Sequence, residues 1–311
     1  MTRSSIVSIV IPHWSPLGNP LGRQALIQCL ASIMRQSYSP LEVIVVNNEG
    51  EGDWVCDVQE KFAIVQWIHN QQNRLFTGAM NQGIVISKGE FVLSLNNDVI
   101  LSPDFIQESA LVMKKDEKIG MVCGLLLWSE RVGDQSSEKI DSAGQALSRS
   151  KRPCERGHGC LNRNQFNQIE EVFGVPGACG MYRRQMLEEI ALSRGEYFDR
   201  SFGLFYEDLE LAWRAQKKGW KGFFVPTAIA YHVRGLTTKV HLPRWGWLKR
   251  FHAANLGRED ASRLIRNRQI TLHRHNSWLK WILHFPWILA YDLALHLIGW
   301  LAIETKNDCK N

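Results

Sequence analysis

The sequence predicts an α/β fold: a Rossmann-like, mainly parallel sheet flanked by helices, followed by a helical C-terminal extension. Three observations lead there. Short β-branched runs alternate with helix-period segments through the first 120 residues, which implies parallel strands joined by right-handed crossovers. Apolar residues make up 45% of the 311, enough for one large core and an appendage. After about residue 240 the pattern changes to Trp, Arg and long apolar runs. The expected division is therefore a sheet-bearing body over 1–240 and a basic, Trp-rich helical region over 241–311.

Val7–Ile11 reads as a buried strand stopped by Pro12. Gln24–Gln36 has apolar residues at 26, 27, 30, 33 and 34, one helix face. Leu41–Val46 is a second buried strand, ending in the turn cluster Asn47-Asn48-Glu49-Gly50. Ile64–Ile68 is a third strand, and Thr77–Ser87 a helix stopped at Lys88-Gly89. Phe91–Leu95 is a fourth strand, ending in Asn96-Asn97-Asp98. Pro103–Lys115 has Pro near its start and lysines at its end, a helix signal. Residues 129–170 are polar and irregular, as long functional loops are. Arg184–Leu192 and Glu207–Lys218 read as helices, and Gly222–Val225 as a strand closed by Pro226.

The net charge of +6 is carried by the tail. Residues 241–311 hold 11 Lys/Arg against 5 Asp/Glu, and six of the twelve Trp. That composition suits an anionic, partly apolar partner, a membrane surface rather than nucleic acid. Seven Cys at irregular spacing do not form a disulfide framework, which favours a reducing compartment. The apolar run Ile6–Ile11 is too short for a signal-peptide core. The expected location is cytoplasmic, peripheral to the inner face of the cell membrane. Trp281–Ile303 is long enough to span a bilayer. His284, Pro286, Asp292 and His296 interrupt it, and an Asp at the centre of a span costs roughly 2.5–3.5 kcal/mol. The expectation is helices lying in the interface, with Arg244, Lys249, Arg250, Arg263, Arg266 and Arg268 toward lipid phosphates. The alternative is a tail packed on the body or on a second copy of the chain, as a homo-oligomer.

Asn47 and Asp98 stand just past strand ends, where ligands bind in such sheets. A carboxylate there can hold a divalent cation against a diphosphate; it is also a common turn residue. Glu207, Asp208 and Glu210 open a helix between aromatic residues. Acids favour helix starts, but aromatic flanks also desolvate a carboxylate and raise its pKa, which suits a general base. His232 follows an apolar run and reads as a metal ligand or a structural histidine. Cys154, His158 and Cys160 offer three local ligands without a second pair, too few for a zinc site.

Taken in order, these segments resemble glycosyltransferase family 2, of the GT-A fold, in its bacterial rhamnosyltransferase-like branch. The likeness runs from about residue 6 to 235. Val7–Pro12 resembles the family's opening strand, and Leu41–Asn48 its second strand and turn. Asn73-Arg74-Leu75-Phe76-Thr77-Gly78-Ala79-Met80-Asn81-Gln82-Gly83 resembles its donor-site segment. Leu95-Asn96-Asn97-Asp98 stands at its DXD-type metal motif. Val175–Arg184 resembles its Gly-Ala segment, Glu207-Asp208-Leu209-Glu210 its ED motif, and His232 its late histidine.

The resemblance implies an inverting transfer from a nucleotide-diphosphate sugar, with rhamnose the suggested sugar, to a glycan or lipid-linked acceptor in surface polysaccharide assembly. It implies a divalent cofactor, Mg2+ or Mn2+, held by Asp98 and His232. Donor contacts are implied for Pro12, Asn47, Asn48, Asn73, Gly78, Asn81, Asn97 and Asp98, with Gly78 and Gly83 allowing close backbone approach. Asp208 is implied as the base, with Glu207 as runner-up, and Gly177, Ala178 and Trp213 on the acceptor side. Arg183 or Arg184 either meets phosphate or forms a solvated pair. Three departures stand out: Asn47 replaces the usual Asp, the metal motif keeps only its last acid, and Leu75 replaces a customary Gly. Two rival readings remain. A nucleotidyltransferase needs a Gly-rich basic loop after the first strand, where this chain has His13-Trp14-Ser15-Pro16. A non-catalytic, membrane-bound sugar-nucleotide binder fits the reduced metal motif but not the Glu207-Asp208 pair.

Overall fold

Alternation within the first strand sets the layering. In β1 (Val7–His13) the side chains of Val7, Ile9 and Ile11 join one apolar cluster and Val10 joins another, as the two-residue period of a strand requires. Both faces are therefore covered by helices. The computed structural model describes residues 5–15, 20–50, 52–233, 258–275, 284–295 and 297.

On one face pack α1 (Pro20–Met34), α2 (Asp53–Lys61) and α4 (Phe105–Met113), through Leu26, Leu30, Val58, Phe105 and Ile106. On the other pack α3 (Leu75–Ile86), α5 (Arg184–Glu189) and α6 (Glu207–Lys217), through Met80, Ile84, Met186, Leu211 and Ala215. The strands between them are β2 (Leu41–Asn47), β3 (Val65–His69), β4 (Phe91–Leu95), β5 (Val99–Leu101) and β6 (Ile119–Trp128). They continue with β7 (Ile140–Ser142), β10 (Glu170–Val172), β11 (Cys179–Arg183) and β12 (Lys221–His232). The main order is β10-β12-β6-β11-β4-β1-β2-β3.

The expected parallel half is present: β4, β1, β2 and β3 pair in parallel, with His13 opposite Asn47 and Asn47 opposite His69. The sheet as a whole is mixed, which corrects the mainly parallel expectation. β11 runs antiparallel between β4 and β6, and β5, β7 and β10 are antiparallel additions. Pro226 does not end the last strand either. β12 continues past it to His232 through an irregularity between Val225 and Ile229. The ladder skips the proline, which has no N–H to give. Gly124 faces this bulge; a Cβ there would lie 2.0 Å from the Ala228 carbonyl oxygen.

The polar stretch 129–170 is not wholly irregular. It holds β7 and the hairpin of β8 (Gln145–Leu147) and β9 (Pro153–Glu155). Beyond β12, α7 (Arg258–His275) and a helical stretch over 284–295 pack on α6. Phe202, Tyr206, Leu209, Leu264 and Leu295 form that third cluster. Among the described residues no helix is long and apolar enough to cross a membrane. Arg244, Lys249 and Arg250 lie outside the described residues.

Candidate active site

Asp98 lies in the turn between β4 and β5, at the carboxyl end of the parallel strands. β12 delivers His232 beside it, with Nε2 3.3 Å from Asp98 Oδ1. The backbone closes the same contact: the Val233 N–H donates to the Asp98 carbonyl at 3.1 Å. Asp141, on β7, bonds His232 Nδ1 through Oδ2 at 2.8 Å. It thereby fixes the imidazole plane and leaves Nε2 toward Asp98. Burial opposes charge on His232, but the Asp98 charge and the Asp141 bond overcome it and push its pKa up to about 10.

These groups fit a divalent cation. Asp98 Oδ1 and His232 Nε2 are buried side by side. Two adjacent ligands of an octahedral cation at about 2.1 Å stand about 3 Å apart, close to the observed spacing. A histidine backed by a carboxylate is a common metal ligand. Among the described residues no group of three or more His, Cys, Asp or Glu is arranged to hold an ion alone. A cation here would need further oxygens, such as those of a diphosphate. Cys154 and His158 do not add to it: Cys154 meets Arg152, and His158 stacks on Trp128 and bonds Asp141.

Glu207 and Asp208 open α6 after two residues in the left-handed region, Phe205 and Tyr206, each at φ 69°. Each such residue costs about 1–3 kcal/mol, and strain of this kind gathers at functional sites. The turn makes two unlike carboxyls. Asp208 Oδ2 accepts from Gln145 Nε2 at 2.8 Å and from the Gly177 N–H at 3.0 Å, and Oδ1 accepts from the Leu209 N–H at 2.7 Å. Burial raises its pKa while these donors pull it back. Glu207 is buried, and Oε2 has no partner. Burial, then the neighbouring Asp208 charge, holds its pKa well above the usual carboxylate range. Glu210 belongs to the interior, bonded by Arg214 Nε at 2.9 Å.

The Gly177-Ala178 backbone ties the two halves. Ser94 donates to the Gly177 carbonyl at 2.6 Å, the Asn96 N–H to the Ala178 carbonyl at 2.8 Å, and the Gly177 N–H to Asp208. A Cβ on Gly177 would stand 3.2 Å from Phe76 and 3.6 Å from Glu207 Oε1.

Several residues expected to touch the donor also hold the scaffold. Asn47 is wholly buried, its amide donating to Gly50 and accepting the Glu49 N–H. An Asp could not make the first bond, so the departure at this position serves the turn. Asn48 holds Asn70 and the Arg74 N–H. Asn81, also wholly buried, holds the backbone of Tyr197 and Phe198. Asn97 bonds His13 Nδ1 at 2.7 Å, and His13 Nε2 faces Glu49 at 3.2 Å. Pro12 pairs with Val46, and the exposed Asn73 accepts the Leu75 N–H at 2.8 Å. Leu75 has φ 57°, the conformation its replaced Gly would adopt freely. Gly83 approaches β1, not a ligand: a Cβ would meet Val10 Cγ1 at 2.3 Å, and one on Gly78 would meet Arg74 Cβ at 2.9 Å.

Trp213 packs between Phe173 and His275. Arg183 and Arg184 meet no phosphate site. They stand at the amino end of β4, bonding carbonyls of Ile119 and Gly89. Part of the basic tail bonds within the protein. Arg263 pairs with Glu259 and Asp260, Arg266 bonds Ser201, and the buried Arg268 pairs with Asp292. Asp141 and Gln145 were missed, because their partners lie 91 and 63 residues away.

A carboxylate with a histidine beside it at a strand end, tied through Gly177-Ala178 to a carboxylate pair at a helix start, accords with a GT-A type fold. The family model described as "Glycosyl transferase family 2" matches residues 8–191. The chain belongs to that family. An N-acetylglucosaminyltransferase of Mesorhizobium japonicum is 28% identical over 236 residues, 73% of this chain and 51% of that protein. The chain spans about half the length of the curated relatives it matches. The fold is shared with a mannosyltransferase from Pyrobaculum calidifontis solved with GDP-Man and Mn2+, at TM-score 0.57 and 14% identity over 99% of this chain and 76% of that one. It is shared also with GalNAc-T7 solved with UDP, GalNAc and Mn2+, at TM-score 0.58 and 15% identity over 94% and 58%. These relatives lend no support to the rhamnosyltransferase-like branch.

Proposed function

We propose that this chain transfers a sugar, with inversion, from a nucleotide-diphosphate sugar to a glycan or lipid-linked acceptor in cell-surface polysaccharide synthesis. The observation that carries this is the Gly177-Ala178 backbone, bonded to Asp208 at one residue and at the next to Asn96, two residues before the Asp98 that pairs with His232. Asp98 and His232 would hold a divalent cation, Mg2+ or Mn2+, which when bound would supply positive charge at the leaving diphosphate. Asp208 takes the proton of the acceptor hydroxyl, which attacks the anomeric carbon as the bond to the nucleotide breaks. Three donors keep Asp208 the more acidic carboxyl, while the buried Glu207 stays protonated beside it. Gly177 and Ala178 border the acceptor. Peripheral attachment at the inner membrane face, through the tail, brings the site to a lipid-linked acceptor.

The test is nucleoside diphosphate release from a donor panel with Mn2+ or Mg2+. UDP-N-acetylglucosamine comes first, because the relatives above are N-acetylglucosaminyltransferases. Release from one donor, abolished by chelator and lowered 100-fold or more in Asp98→Ala and Asp208→Ala, is expected, on the scale of about 10²–10⁴ for a general base. Binding of a donor without release, in the presence of acceptor extracts, would favour a non-catalytic binder. Absence of binding by every donor defeats the proposal.

A further inference from the structure

We propose that Asn267, on the tail helix α7, is a positioning residue for the carboxylates of α6. It clamps the turn over 202–206 in the left-handed form that aims Glu207 and Asp208. The inference rests on the reading of Asp208 as base. Asn267 is wholly buried. Its Nδ2 lies 2.9 Å from the Phe202 carbonyl, 2.9 Å from that of Leu204 and 2.8 Å from that of Phe205. An amide has two hydrogens, so three carbonyls share them and are drawn to one point. Phe205 itself and Tyr206 adopt positive φ, and the helix with the carboxylates begins directly after.

The surroundings brace the same turn. Asn267 Oδ1 accepts from Arg266, whose guanidinium also reaches the Ser201 carbonyl. Thr271 bonds the Asn267 carbonyl one helical turn later at 2.8 Å. Thr77, in the first turn of α3, donates its N–H to Gly203 at 3.1 Å. Phe205 and Tyr206 are aromatic and have no intrinsic preference for the left-handed region. A conformation so disfavoured persists only where its neighbours over-determine it. Asn267 supplies that constraint from a helix 62 residues further along the chain.

The experiment compares the full chain with Asn267→Asp, which replaces the donor with an acceptor at equal size, and with Asn267→Ser. Hydrogen exchange over 200–212 is read first and needs no substrate. Release of UDP from UDP-N-acetylglucosamine with Mn2+ then gives kcat and KM. The expected result is exchange over 202–210 at least tenfold faster, strands β1–β4 unchanged, kcat at least tenfold lower and donor KM within threefold. Adding Phe205→Gly to Asn267→Asp should recover kcat, since glycine takes the left-handed form freely; a residue that only docked α7 would not be rescued so. A folded Asn267→Asp with unchanged exchange over 202–210 overturns the clamp, and Asn267→Ser decides by the same criterion if Asn267→Asp does not fold. Faster exchange with unchanged kcat overturns the proposal through its premise, the assignment of Asp208.

Discussion

Glu207 and Asp208 are chain neighbours with opposite surroundings, and that contrast has a measurable consequence. Burial, then the Asp208 charge, holds the Glu207 pKa well above the usual carboxylate range. In the unfolded chain Glu207 ionises in the ordinary carboxylate range. Between that range and its raised folded value the native state binds the extra proton. Stability therefore falls as pH rises through this window and is fully present below it. Glu207→Gln removes the titration. It is expected to raise Tm at pH 7.5 in chelator, with the gain vanishing near pH 4; equal Tm differences at both pH values would refute the buried, protonated assignment. The ED pair itself was legible in the sequence, because its aromatic flanks signal desolvation. Which acid stays charged was not, since that depends on Gln145 and on the Gly177 backbone. The asparagines illustrate the converse. Asn47, Asn48 and Asn81 have the residue type of ligand contacts, and their amides also hold turns and loops.

At the scale of elements, the parallel half of the sheet was readable because β1, β2 and β4 are short apolar runs with turn residues at their ends. The antiparallel half was not: β7 and β10 are three residues each and polar in part, and β10 and β11 pair with β12 and β4, far along the chain. Helix α3 shows how closely the readable half is fitted. Gly83 stands against Val10 of β1, and a Cβ there would come within 2.3 Å of a Val10 methyl. Both neighbours are wholly buried, so the helix must lift from the sheet. Gly83→Ala is expected to destabilise the protein by about 1–3 kcal/mol by overpacking, although alanine is intrinsically the better helix former. Urea denaturation checks this. A variant as stable as the parent would mean that α3 shifts freely over β1 and does not hold the donor-side loops.

For the whole molecule, the tail is divided between two tasks. Its buried side joins the body through Arg268, Asn267 and Leu295, so part of the basic charge that suggested lipid phosphates is internal. Its outer side is apolar. Phe285, Leu289, Leu293 and Leu297 recur every four residues over the last helical stretch and are 39%, 44%, 63% and 57% exposed. Trp287, 53% exposed, has Arg149 at its ring. Among the described residues no helix is long and apolar enough to span, and we propose that this stripe lies on a bilayer. On this reading the chain binds vesicles containing anionic lipid, and salt weakens but does not abolish the binding, since screening reaches only the electrostatic part. Replacing Leu289 and Leu293 with Ser removes apolar contact worth about 2 kcal/mol, roughly thirtyfold in partition coefficient. Release of nucleoside diphosphate from a soluble donor should be unaffected, because neither residue is part of the active site. Sedimentation with vesicles of phosphatidylglycerol and phosphatidylcholine separates the outcomes. Unchanged partition in the double variant would show that this stripe meets something other than lipid.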